Sequence, residues 1–279
     1  MPISTMLVPI GTNDPREQKI LRYVCGLAAQ SVRRVLIATV VDDSGLEAPV
    51  VASEMDRARE RLSEWTAPLA AECAMDIETR VVTGERSGAI LALAQQADID
   101  VICCATEGKS VVDALFSGSL SEDIFSSGKI RTMTIRNSLL DAVEDPSELS
   151  RGFAKRLVVP TDFSASATRA WLSAFERPEE VIGHIYALHV VADGDAQAQR
   201  HAEILLQGLL DIASEHDIDA TAEIRNGDPG EAVLAFLGEV EATGVITGMH
   251  GRGALHRAIV GGLSMKLLRE APCPVVVQP

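Results

Sequence analysis

Apolar residues along this chain gather into two kinds of run, and the two kinds alternate. Short, nearly continuous stretches such as Arg34-Val35-Leu36-Ile37-Ala38-Thr39-Val40-Val41 and Ile185-Tyr186-Ala187-Leu188-His189-Val190-Val191 predict strands covered on both faces. Between them, apolar positions recur at three- and four-residue spacing, which predicts helices over 51–73, 88–95, 196–215 and 231–239. In the first half the remaining strands are expected at 5–10, 77–82, 100–104 and 132–135. Asn13 and Pro15 predict a capped helix start, with that helix running to about residue 29. A loop over 108–119 and a short helix over 120–127 complete the first half.

From 137 to 152 the pattern dissolves into Asp141, Glu144, Asp145, Pro146, Ser147, Glu148 and Ser150, the composition of a linker. The order then restarts. Leu157-Val158-Val159-Pro160 repeats Met6-Leu7-Val8-Pro9, Ser164 can cap a helix reaching Phe175, strands follow near 185–191, 220–225 and 244–247, and a last one spans 274–278. The repeat of roughly 145 residues is too long for a solenoid unit and suits a duplicated domain. The expected organisation is a domain over 1–138, a linker over 139–152 and a second domain over 153–279. Strands alternating with helices imply a doubly wound parallel sheet in each, an α/β architecture whose ligands bind beyond the carboxyl ends of the strands.

The chemistry concentrates at one such strand exit. Gly244-Val245-Ile246-Thr247 leads into Gly248-Met249-His250-Gly251, and nine residues later Gly261-Gly262-Leu263-Ser264 opens a helix. A strand, a glycine-rich loop and a helix N-terminus are the parts of a phosphate cradle, because bare backbone N–H groups and the helix dipole both favour an anion. Asp162 leaves the strand at 156–160 on the same expected edge, where it can cap the next helix. His250 and Arg252 flank the loop. His184 and His189 lie on opposite faces of one strand and cannot share a metal, so no protein-held metal site is expected.

Charge narrows the partners. With 40 acidic and 25 basic side chains the net charge is −15, which argues against nucleic-acid or anionic-membrane binding. A small anion needs only local N–H donors. No apolar run approaches the roughly 20 residues of a membrane span, and no secretory signal is evident. Cys25, Cys73, Cys103, Cys104 and Cys273 lack CxxC spacing and are expected to be buried thiols of a reducing cytoplasm.

Val159-Pro160-Thr161-Asp162-Phe163-Ser164, Leu188-His189-Val190-Val191, Gly227-Asp228-Pro229, Gly248-x2-Gly251-x9-Gly261 and Ala271-Pro272-Cys273-Pro274-Val275-Val276-Val277 occur in that order. Together they resemble the universal stress protein family in its tandem two-domain form, strongly in the second half and partially in the first. The resemblance implies two adenine-nucleotide alpha-hydrolase-like domains of five strands each, packed as an intrachain pseudo-dimer through the strands at 132–135 and 274–278; a homodimer of the whole chain is left open. It implies ATP as ligand, with Thr161 and Asp162 at the nucleoside and Val190 against the adenine. Gly248, Gly251, Gly261, Gly262 and Leu263 would surround the phosphates, and Ser264 matches a second hydroxyl.

The departures bear on the ligand. The family pattern places Ser or Thr where Gly262 stands, so a hydroxyl that could reach a terminal phosphate or organise Mg²⁺ is missing, and ADP and AMP become alternatives. In the first half Gly11 replaces the aspartate, Ala105 the first glycine of Ala105-x2-Gly108-x9-Gly118-Ser119, and Arg86 the proline. That domain is expected to keep the fold and lose the nucleotide. No general base or nucleophile aims at the cradle, which favours a nucleotide-responsive stress protein without catalysis. The alternatives are a nucleotide-independent scaffold with a vestigial site and a slow ATPase.

Overall fold

The computed structural model describes residues 3–12, 16–106, 130–191, 196–251 and 262–279. They form two compact units, Ile3–Arg151 and Gly152–Pro279. The first unit holds β1 (Thr5–Pro9), β2 (Arg34–Val41), β3 (Asp76–Thr83), β4 (Val101–Thr106) and β5 (Arg131–Arg136) in the order β3-β2-β1-β4-β5, with every pairing parallel. Its helices are α1 (Glu17–Gly26), α2 (Ala48–Glu72), α3 (Arg86–Gln96), α4 (Asn137–Asp141) and α5 (Pro146–Arg151).

The second unit repeats the order. Strands β6 (Arg156–Pro160), β7 (His184–Val191), β8 (Ala220–Asn226), β9 (Gly244–Gly248) and β10 (Val275–Gln278) lie as β10-β9-β6-β7-β8, again all parallel. Helices α6 (Ala165–Ala174), α7 (Ala196–Glu215), α8 (Pro229–Glu239) and α9 (Gly262–Glu270) make the crossovers that parallel pairing demands. The duplicated α/β organisation expected from the repeat is therefore present.

The patterns explain the elements. In β1 and β6 four of five residues are buried, as in strands with both faces covered, whereas the half-exposed β3 and β8 mix polar with apolar residues. Helix α7 buries Ala202, Leu206, Leu209 and Ala213, a stripe at spacings of four, three and four that packs on the sheet while Ile204 faces out. Ser164 caps α6 by accepting from the Ala167 N–H, and Asp228 caps α8 by accepting from the Glu231 N–H.

Two findings go beyond the sequence pattern. First, the polar stretch before Gly152, expected as a linker, carries α4 and α5. Helix α5 packs on α1 so closely that a Cβ at Gly26 would fall 2.1 Å from both the Ser147 carbonyl oxygen and the Ser150 hydroxyl. Asp145 caps it by accepting from the Ser147 N–H and hydroxyl, and these bonds hold the Asp145 carboxyl below its usual range. Second, Cys25 and Cys73 are not separate thiols: they are joined as a disulfide between α1 and the end of α2, with Cα atoms 5.2 Å apart. Cys103 and Cys104 are not disulfide-bonded, and burial pushes the Cys103 thiol well above its usual value. The cap expected at Asn13, the loop over 108–119 and the helix over 120–127 lie outside the described residues. No described helix is long and apolar enough to cross a membrane.

Candidate functional site

Strand β6 and strand β9 are neighbours at the point where the order of the second sheet reverses, and both end in turns at the same edge. After β6 the chain makes a tight turn. The Thr161 N–H donates to the Leu188 carbonyl of β7 at 2.8 Å, and the Thr161 hydroxyl accepts from the Phe163 N–H at 2.9 Å. Phe163 itself adopts a left-handed φ of 61°, and its ring lies against His189 with centroids 4.7 Å apart. A carbonyl oxygen can only accept, so His189 Nδ1, 2.7 Å from the Thr161 oxygen, carries the proton there. This network fixes the turn that carries Asp162.

The two carboxylate oxygens of Asp162 have different surroundings. Its Oδ1 accepts from the Ser164 N–H at 3.0 Å, which steadies the start of α6, while Ser164 is the actual cap. The other oxygen, Oδ2, faces Gly251, where an added Cβ would approach it to 2.9 Å. The turn after β9 is fastened to the same helix, because the hydroxyls of Ser164 and Ser166 donate to the His250 carbonyl.

A cavity of about 610 Å³ opens between these turns and two helix N-termini, a size suited to a small-molecule ligand. Thr161, Asp162, Val190, Gly248, Gly251, Gly262, Leu263 and Ser264 all line it. Gly261 lies outside the described residues, as does Arg252. The roles of the glycines differ from one another. A Cβ at Gly248 would strike backbone atoms of Ser166 and Ala167 at 2.7 and 2.8 Å, so this glycine admits α6 to the sheet. A Cβ at Gly262 would meet no described residue within 4 Å. The Ser264 hydroxyl donates to the Gly248 carbonyl at 2.7 Å and ties α9 to β9. From α9 the cavity is lined by Gly262, Leu263, Ser264 and Lys266; the first N–H groups of a helix have no acceptor within it and carry the positive end of its dipole.

The opposite wall was not assigned from the sequence. Pro229, Gly230 and Val233 of α8 line the cavity together with Asp228, His189 and Lys266. The signal was present: Asp228 followed by proline marks a helix start, and every helix after a strand exit begins at this edge. Lys266 donates to Glu231, and that hydrogen bond is the first cause of its raised pKa, aided by the charges of Glu231, Glu270 and Asp228. Among the described residues no three His, Cys, Asp or Glu side chains group as metal ligands.

In the first unit the equivalent positions differ. Gly11 follows β1 without a carboxylate, Ala105 lies within β4, and α3 begins at Arg86 behind the cap Glu85. The positions 108, 118 and 119 lie outside the described residues.

Comparison with known proteins agrees with this duplicated architecture. The model of the universal stress protein family matches residues 2–136 and again 154–279. The chain belongs to the universal stress protein family. A universal stress protein of Methanocaldococcus jannaschii is 24% identical over 137 residues, spanning 44% of this chain and 81% of that one. A putative universal stress protein of Staphylococcus aureus is 31% identical over 83 residues, 29% of this chain and 50% of that one. The crystal structure of a universal stress protein from Archaeoglobus fulgidus superimposes with a TM-score of 0.78 at 23% identity, covering 99% of this chain and 96% of the other. A putative universal stress protein from Pseudomonas aeruginosa gives 0.62 at 11% identity, covering 99% and 93%. At these identities the structures attest the tandem universal stress protein fold.

Proposed function

We propose that the second unit binds an adenine nucleotide, ATP or its shorter relatives ADP and AMP, and that the protein uses it in the stress response to shift conformation or partner choice without catalysis. One observation carries the reading: the Asp162 carboxylate and the first turn of α9 face one cavity of nucleotide size. A carboxylate suits ribose hydroxyls, helix N–H groups suit phosphate, and Val190 with Val233 offers apolar walls to a base. Mg²⁺ would enter with the triphosphate, held by phosphate oxygens and water, because Gly262 brings no hydroxyl and that of Ser264 is engaged. The first unit would contribute fold and not affinity, since Gly11 supplies no carboxylate.

A second reading, a nucleotide-independent scaffold, is favoured by the glycine at 262, and the two separate cleanly. Titrating the whole chain with ATP, ADP and AMP by calorimetry is expected to show one saturable site per chain. Asp162→Ala is expected to weaken it about tenfold, the loss of charge-assisted hydrogen bonds, with the thermal transition kept. No heat for any of the three at millimolar concentration overturns the nucleotide reading in favour of the scaffold. Phosphate release in a single turnover above the protein-free background would instead make the protein a slow ATPase.

A further inference from the structure

Lys266 is the basic side chain among the described residues lining the cavity apart from its histidines, and its placement is unusual. It lies four residues after Gly262, on the helix whose first residues line the cavity. Four residues are about 6 Å of helix axis, and helical side chains lean back toward the N-terminus. A long side chain at this position therefore projects toward the end of α9 where an anion would sit.

The stem of Lys266 runs across the first turn of α8. A Cβ at Gly230 would fall 2.5 Å from its Cδ, so the absence of a side chain at 230 is what leaves the stem its track. At the end of that track the ammonium is held by Glu231, whose side chain is 74% exposed, while that of Lys266 is 25% exposed. The pair is thus a half-sheltered cation with a solvated, easily displaced partner, and Asp228 and Glu270 add negative charge nearby. Ion pairs with an exposed member are weak, and a phosphate group with two negative charges competes well for the same ammonium.

We propose that Lys266 is the residue through which this cavity distinguishes nucleotides by phosphate number: leaving Glu231, its ammonium pairs with the outer phosphates of a di- or triphosphate and gives nothing to a monophosphate. This rests on the nucleotide reading above and adds the choice among nucleotides. It also answers the missing hydroxyl at Gly262, since a mobile cation replaces a fixed neutral donor at the outer end of the chain of phosphates. Glu231 then acts as the resting partner, and closing on ATP releases its carboxylate to solvent at the mouth of the cavity.

The test is the ratio of affinities in the full-length chain. Calorimetric titration with ATP, ADP and AMP is carried out on the wild type, on Lys266→Met, which keeps the stem, and on Glu231→Gln, which removes the competitor. Lys266→Met is expected to weaken ATP and ADP about tenfold and to leave AMP within about twofold. Glu231→Gln is expected to tighten ATP a few-fold without a matching gain for AMP. An equal loss for all three nucleotides in Lys266→Met, or no loss for any, overturns the proposal while leaving nucleotide binding in place. No binding to the wild type would overturn the nucleotide reading itself. Circular dichroism and thermal transitions on each variant separate a lost contact from a lost fold.

Discussion

No described residue lies within 4 Å of where a Cβ at Gly262 would go, so none of them keeps a hydroxyl out. A serine fits without displacing any described residue and would add a donor at the first turn of α9. Gly262→Ser is therefore expected to tighten ATP by about two- to tenfold, the worth of one hydrogen bond, as a titration beside the wild type would show. An unchanged affinity would mean that the phosphates do not reach that turn. Gly248 is the contrasting case. Sequence pattern assigns both glycines to one cradle, but the first is demanded by the backbone of α6 at 2.7 Å and the second by no described neighbour. Spacing reveals that a glycine recurs, while the reason for it is a distance to a neighbour far away in sequence.

At the scale of elements, most of the fold was legible because each strand and each long helix carries its own signal. The run at His184–Val191, the stripe of α7 and the caps Ser164 and Asp228 are local features that tertiary packing did not overrule. Helices α4 and α5 were not legible, for they are five and six residues long and hold too few apolar positions for any periodicity. Their order comes from contacts: the Ser150 hydroxyl donates to the carbonyls of Tyr23 and Ser147, and the Gln30 amide donates to the Arg151 carbonyl at 3.0 Å. The wall contributed by α8 was missed for a related reason, since it is a helix start whose meaning depends on which sheet edge it reaches. Gly26→Ala tests the packing directly. Its Cβ would collide with the Ser147 backbone, and the variant is expected to lose about 1–3 kcal/mol in a denaturant titration, with the loss concentrated in the first unit. A variant as stable as the wild type would show that α5 can lift away freely.

The molecule as a whole is one fold used twice, and the family pattern extends over both halves. In the second unit Asp162, the first residues of α9 and Lys266 line one cavity, while in the first unit Gly11 stands where Asp162 stands in the second. Divergence of this kind is easy to read in the positions that changed and hard to read in those that stayed, because a strand keeps its valines whether or not a ligand sits at its end. The disulfide is another asymmetry. Cys25 and Cys73 close a loop across 48 positions, and that loop includes residues 42–50, all of them exposed. A protease cut within that stretch would leave the severed pieces tethered. On a gel without reductant the nicked chain is expected to migrate as one band, and with reductant as two; separation under both conditions would show that the sulfurs are not bonded.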